Sequence, residues 1–101
     1  MRFVIALALL GACDKGDPAV DAVLALQGDV TEGEQVWAVC GACHGANGEG
    51  GTGPAMTEEA AELTDEELVD IMIYGYEEMA GQGLDDQEMA DVLAYIRATF
   101  G

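Results

Sequence analysis

Cys40-Gly41-Ala42-Cys43-His44 is the stretch whose reading decides the rest of the chain. Two cysteines three apart, with histidine directly after the second, form the pattern by which a c-type haem is attached covalently. On a helical turn, positions i, i+3 and i+4 share one face. Cys40, Cys43 and His44 can therefore all address one flat ligand. In that chemistry the thiols add to the porphyrin vinyl groups as thioethers and the imidazole remains beneath the iron as its proximal ligand. Three other readings compete. A structural zinc site wants four ligands, usually as two separated pairs, whereas Cys13 is the one further cysteine and His44 the single histidine. A thioredoxin-like redox pair needs a βαβ setting, of which the sequence gives no sign. Coincidence is the third, since the pattern is brief.

A chain of 101 residues has room for one small domain. A haem would supply apolar area that such a chain lacks and would serve as much of its core. At the N-terminus Arg2 precedes the apolar run Phe3 to Leu10, and Gly11-Ala12-Cys13 follows, which reads as a targeting segment. Leu10-Gly11-Ala12-Cys13 resembles a bacterial lipobox, in which cleavage precedes the cysteine and that cysteine is lipidated. The expected organisation is a lipoprotein-type signal peptide over 1–12, lipidated Cys13 and a tether over 13–27, and the haem domain over 28–101. A plain signal peptide and a membrane anchor are the alternatives. The run is shorter than the about 20 apolar residues that span a bilayer, and shorter than the usual signal of about 15–30 residues. The lipoprotein reading also gives the odd third cysteine a use.

The formal net charge is −17. Loss of the leader would remove Arg2 and leave Lys15 and Arg97 against 20 carboxylates. From Asp29 onward Arg97 is the only basic side chain. The sign of the charge excludes nucleic acid as a partner. It also repels anionic headgroups, so membrane contact is expected through the lipid anchor only. The carboxylates either solvate the surface or steer the domain toward a basic docking face on a redox partner.

From Asp14 to Gln27 a polar stretch gives way to the apolar run Ala19 to Leu26. As an extended tether it would reach at most about 50 Å, although Ala19-Val20 and Val23-Leu24 are spaced like one helical face. Three pairs then announce helices, each an N-cap candidate three residues before a glutamate: Thr31 with Glu34, Thr64 with Glu67, and Asp85 with Glu88. The first helix is expected over about 32–43, with Gly33, Val36, Trp37 and Cys40 on one side. Gly45, Gly48, Gly50, Gly51 and Gly53 then mark a loop closing at Pro54. No P-loop lysine follows it and no strand precedes it, so its density reads as close backbone approach to something bulky, such as a haem edge. Residues 57–62 suggest one helical turn. The Thr64 helix carries Leu68, Ile71 and Met72 and should stop near Gly75, and residues 76–83 have no clear period. The last helix, over about 86–99, carries Met89, Val92, Leu93, Ile96 and Phe100 as a stripe. No segment reads as a strand, and the chain is expected to be all-α.

From Gly28 to Phe100 the sequence resembles the small single-haem class I cytochromes c of bacteria. The likeness rests on Cys40 to Gly45, on Gly51-Thr52-Gly53-Pro54, on Met79 in a glycine-bearing loop, and on Asp85 to Ile96. It implies a cytochrome c fold, with three main helices and short turns packed around one covalent haem c. Gly33 and Trp37 would be the glycine and aromatic of the N-terminal helix, crossing the C-terminal helix at Val92 and Tyr95. Pro54 would offer its carbonyl to the Nδ1 hydrogen of His44, and Met79 would be the sixth iron ligand. Of the other methionines, Met1 goes with the leader, Met72 and Met89 sit on apolar faces, and Met56 follows Pro54, on the histidine side.

Departures from the family pattern carry expectations of their own. Ala80 stands where proline is common, which implies a looser ligand loop. The domain has no lysine, and Arg97 is the one obvious cation for the haem propionates, with Tyr74, Tyr76, backbone N–H groups or water as other partners. The function implied is electron transfer rather than enzymatic turnover, as a one-electron carrier on the periplasmic side of a bacterial envelope. Alternatives are a relay subunit of a larger oxidoreductase, a five-coordinate haem peroxidase or gas sensor, and a metal or dithiol protein without haem.

Overall fold

The computed structural model of the chain describes residues 16–101, so the leader expected over 1–12 and the lipidation site expected at Cys13 lie outside the described residues. In chain order the elements are α1 (Pro18–Leu24), α2 (Val30–His44), α3 (Met56–Glu62), α4 (Asp65–Tyr74), β1 (Gly75–Tyr76), β2 (Met79–Ala80) and α5 (Asp86–Phe100). The body is helical, as expected. The single turn expected over 57–62 is the helix α3, and the helical spacing of Ala19-Val20 and Val23-Leu24 within the expected tether is realised as α1. One feature was not foreseen: β1 and β2 pair antiparallel, Gly75 opposite Ala80 and Tyr76 opposite Met79. Two-residue strands carry no periodicity by which a sequence could announce them.

Thr64 and Asp85 each close a capping box, with Glu67 and Glu88 as the reciprocal partners. The first main helix departs from expectation at its start. Asp29, not Thr31, is the N-cap, and its carboxylate accepts from the backbone N–H of Thr31 at 2.8 Å and of Glu32 at 3.1 Å. Asp is the stronger cap of the two. Its own backbone N–H is also anchored, donating to the Asp91 carboxylate on α5 at 2.8 Å.

The main packing is the crossing of α2 and α5. It is close because Gly33 has no side chain: a Cβ there would run into the Asp91 carbonyl and lie 2.8 Å from Tyr95 Cβ. The crossing therefore centres on Asp91 and Tyr95, one residue from the Val92 expected, while Val92 is fully buried in the core. Trp37 is buried between the two helices, its ring centroid 5.9 Å from that of Tyr95 and 5.0 Å from that of Phe100.

Two further ties close the structure. Residues 18–24 of the expected tether are a helix docked against α4 and α5 through buried Val20 and Val23. Its N-cap Asp17 accepts a 2.5 Å hydrogen bond from the Tyr74 hydroxyl at the far end of α4. On the other side Arg97 donates to Asp65 Oδ1 at 2.7 Å, to the Leu63 carbonyl at 2.6 Å, to the Gly101 carbonyl at 2.9 Å and to the Ala60 carbonyl. It thereby satisfies carbonyls left open where α3 ends.

Candidate haem site

The haem motif fills the last turns of α2, so Cys40, Cys43 and His44 stand on one helical segment. The helix stops there because Gly45 turns out at φ 90°. The glycine loop then folds back over the helix end and takes up its orphan carbonyls. Gly53 N–H donates to the Cys43 carbonyl at 2.9 Å and Gly50 N–H to the His44 carbonyl at 2.7 Å. This return path brings the Pro54 carbonyl 2.8 Å from His44 Nδ1. A carbonyl can only accept, so Nδ1 carries the hydrogen and the lone pair is left on Nε2.

Gly53 lies against the imidazole, where a Cβ would be 2.8 Å from Cε1 and 2.9 Å from Nδ1. Gly48 packs in the same way against the Phe100 ring. The bulky partners expected beside this loop are thus, among the described residues, the helix end, the imidazole and a phenyl ring. Behind the motif, Trp37 Nε1–H donates to the Ala46 carbonyl at 3.0 Å, which ties the loop to α2.

Cys40 is half-buried and Cys43 exposed, and both are free thiols. Burial pushes the Cys40 thiol up, partly offset by a backbone hydrogen bond. Beside it Val39 is 61% exposed. Among the described residues no three His, Cys, Asp or Glu side chains converge on a point where a metal ion would sit. The two-residue ladder provides no βαβ frame for a thioredoxin-like pair either. A half-buried and an exposed thiol, with an imidazole whose Nε2 has no partner among the described residues, stand on one helical segment beside exposed apolar surface and do fit a flat, covalently attached macrocycle carrying its own metal.

Met79 stands on β2, half-buried. Met56, Met72 and Met89 are all in the core, at 7%, 6% and 4% exposure. Among the described residues Met79 is the one methionine outside that core. Arg97 does not meet the expectation that it serves haem propionates: all three guanidinium nitrogens are engaged, by Asp65 and by the carbonyls of Ala60, Leu63 and Gly101. Tyr74 and Tyr76 remain exposed, at 58% and 63%. Sequence reasoning missed the role of Asp29 as cap and the hairpin that carries Met79. For Asp29 the signal was present in an acidic residue directly before the helix. For the hairpin it was confined to the flanking Gly75 and Gly81.

Residues 28–96 match the protein-family model described as cytochrome c oxidase, cbb3-type, subunit III. Among solved structures, the chain is similar to cytochrome cL from Hyphomicrobium denitrificans, at 30% identity and a TM-score of 0.59, over 67% of this chain and 45% of that one. It thus spans less than half the length of that protein. Comparison with curated proteins found no match.

Proposed function

The chain belongs to the c-type cytochromes of the cbb3-type subunit III family, and from that premise we propose that it is a one-electron carrier whose iron is held by His44 and Met79. Membership implies a covalently bound c-type haem, and haem-based electron transfer with it. When bound, that haem supplies an iron able to gain and lose one electron. Cys40 and Cys43 would hold it in place through thioether bonds. His44 offers Nε2, and the Pro54 carbonyl fixes the ring and strengthens it as a donor. Met79 would add a soft thioether, which favours the reduced state and raises the potential. Ligation by both His44 and Met79 would leave the iron no position for oxygen or peroxide, which supports a carrier of electrons rather than an enzyme.

The observation that carries this reading is the 2.8 Å contact of His44 Nδ1 with Pro54, which leaves only Nε2 for a metal. The test is an optical spectrum of the matured protein in both oxidation states. The ferric form is expected to show the sulfur-to-iron charge-transfer band, and Met79→Ala to abolish it. Colourless protein, or iron that takes up cyanide freely in the parent chain, would overturn the reading.

The leader and Cys13 support a place in the bacterial cell envelope, on the periplasmic side and tethered by lipid. Cys13→Ser is expected to release the protein from the membrane fraction. The acidic surface supports redox partners with a basic docking face. A second reading, an electron-relay subunit within a larger oxidoreductase, is favoured by the family description, which names a subunit of an oxidase. Purification in mild detergent separates the two, since a relay subunit stays with its complex and a carrier leaves alone.

A further inference from the structure

We propose that the Gly75–Ala80 hairpin is a preset mount for the Met79 sulfur, with Gly75 and Gly81 as positioning residues that stand in for the proline missing after Met79. The inference rests on the reading that Met79 ligates the iron. It reverses the expectation, drawn from Ala80, that the ligand loop is loose.

The hairpin is clamped to the end of α4 by backbone rather than by side chains. Gly75 leaves α4 at φ 84°, with its N–H still donating to the Ile71 carbonyl. A Cβ at Gly75 would run into the Met79 carbonyl and lie 2.9 Å from Gly81 N. A Cβ at Gly81 would run into the Ile73 carbonyl and lie 3.2 Å from its carbon. Just beyond, Gln82 N–H donates to the Met72 carbonyl at 2.8 Å, and Gln82 Nε2 reaches back to the Ala80 carbonyl at 2.6 Å. Both legs of the hairpin are therefore seated against main-chain atoms, which cannot swing aside as the tip of a side chain can.

The turn itself is tight. Tyr76 pairs with Met79, so only Glu77 and Glu78 connect the strands. Glu77 takes φ 53°, the only described non-glycine residue in the left-handed region. Two-residue hairpins need that geometry, and a residue other than glycine adopts it only where its surroundings enforce it. A strained turn between clamped legs leaves Met79 little choice of position. A ligand held this way needs little further ordering to bind.

The test uses the ferric holoprotein and compares Gly75→Ala, Gly81→Ala and a chain with two glycines inserted between Glu77 and Glu78. The inserted chain introduces no clash, and so keeps the test sound if an alanine variant fails to fold. Readouts are the sulfur-to-iron band, the affinity for added imidazole, the Soret band and far-ultraviolet dichroism. Each folded variant is expected to lose most of the sulfur band and to bind imidazole roughly tenfold more tightly, because the fraction of iron free of Met79, which sets that affinity, rises by that factor. The Soret band and helical content should stay. Met79→Ala separates the two levels of the argument. If it removes the sulfur band while the lengthened hairpin keeps both band and parent imidazole affinity, the mount is refuted and the ligand stands. If Met79→Ala leaves the band intact, the ligand assignment fails and takes the mount with it.

Discussion

Gly53 touches the imidazole that the haem motif presents, and there is no room for even one more carbon between them. Gly53→Ala would press a methyl group on Cε1 and Nδ1 and push the ring off the Pro54 carbonyl. Loss of such an outer partner weakens a metal bond by about 10–100-fold. The expected signature is a displacement of the paramagnetically shifted imidazole resonances of the ferric protein. Unchanged resonances would show that the ring is oriented by something else. Where α1 begins, the Tyr74 hydroxyl holds the Asp17 carboxyl below its usual range, helped by Ala19 N–H, and the same bond pushes the Tyr74 phenol up. A depressed carboxylate stabilises above its ordinary value and ceases to do so as pH falls through the folded value. A raised phenol stabilises below its ordinary value and ceases to do so as pH rises through the folded value. Docking of α1 is thus fullest between the ordinary values of 3.8 and 10.0 and weakens on either side. Tyr74→Phe is expected to return the Asp17 titration upward, as followed by carboxyl-carbon resonance. Cys40, Cys43 and His44 were legible as a set because their chemistry depends on sequence spacing alone. Asp17 and Tyr74 lie far apart in the chain, and no local pattern joins them.

Helix starts were the most readable elements, because a capping box is a local contract between two side chains and two N–H groups. Thr64 and Asp85 fulfil it. Thr31 does not, since Asp29 two residues earlier is the better acceptor and is itself pinned by Asp91 from another helix. That tie is tertiary, and local reasoning could not have weighed it. The close crossing of α2 and α5 gives the sharpest prediction at this scale. Gly33→Ala drives a methyl into the Asp91 carbonyl and should cost about 1–3 kcal/mol, as overpacking does. For a domain this small the melting temperature should fall by about 4–8 °C per kcal/mol, and an unaltered melt would mean that the helices can part at no cost. The β1–β2 hairpin escaped notice because an element this short leaves no repeating pattern. Only its glycines hinted at it.

Charge belongs to the whole molecule. Among the described residues Arg97 is the only cation, and Asp65 and three carbonyls occupy it. The Arg97–Asp65 pair is partly exposed, so the ion pair itself contributes little. The capped carbonyls matter more. Every other carboxylate faces its neighbours without a cation among the described residues, and such self-repulsion opposes folding. Added salt, screening over about 8–10 Å, is therefore expected to raise the melting temperature while slowing electron transfer to a basic partner. A rate that rises with salt would reject the basic docking face. With Met79 as the proposed ligand, the midpoint potential should be positive, since a thioether would act at bonding distance whereas the surface charge is screened. The architecture could be anticipated because one motif and two capping boxes, at Thr64 and Asp85, set the order of parts. The identity of the partner could not, because net charge gives a sign and no shape.

Arg97 has one practical consequence. A protease that cuts after arginine must draw the side chain into its own specificity pocket, and this guanidinium is held by four acceptors, the Ala60 and Leu63 carbonyls where α3 ends, the Asp65 carboxylate and the Gly101 carbonyl. The folded domain should resist trypsin at that bond, and the unfolded chain should yield to it. Limited digestion then reports the folded fraction directly, in crude lysate and without a spectroscopic handle.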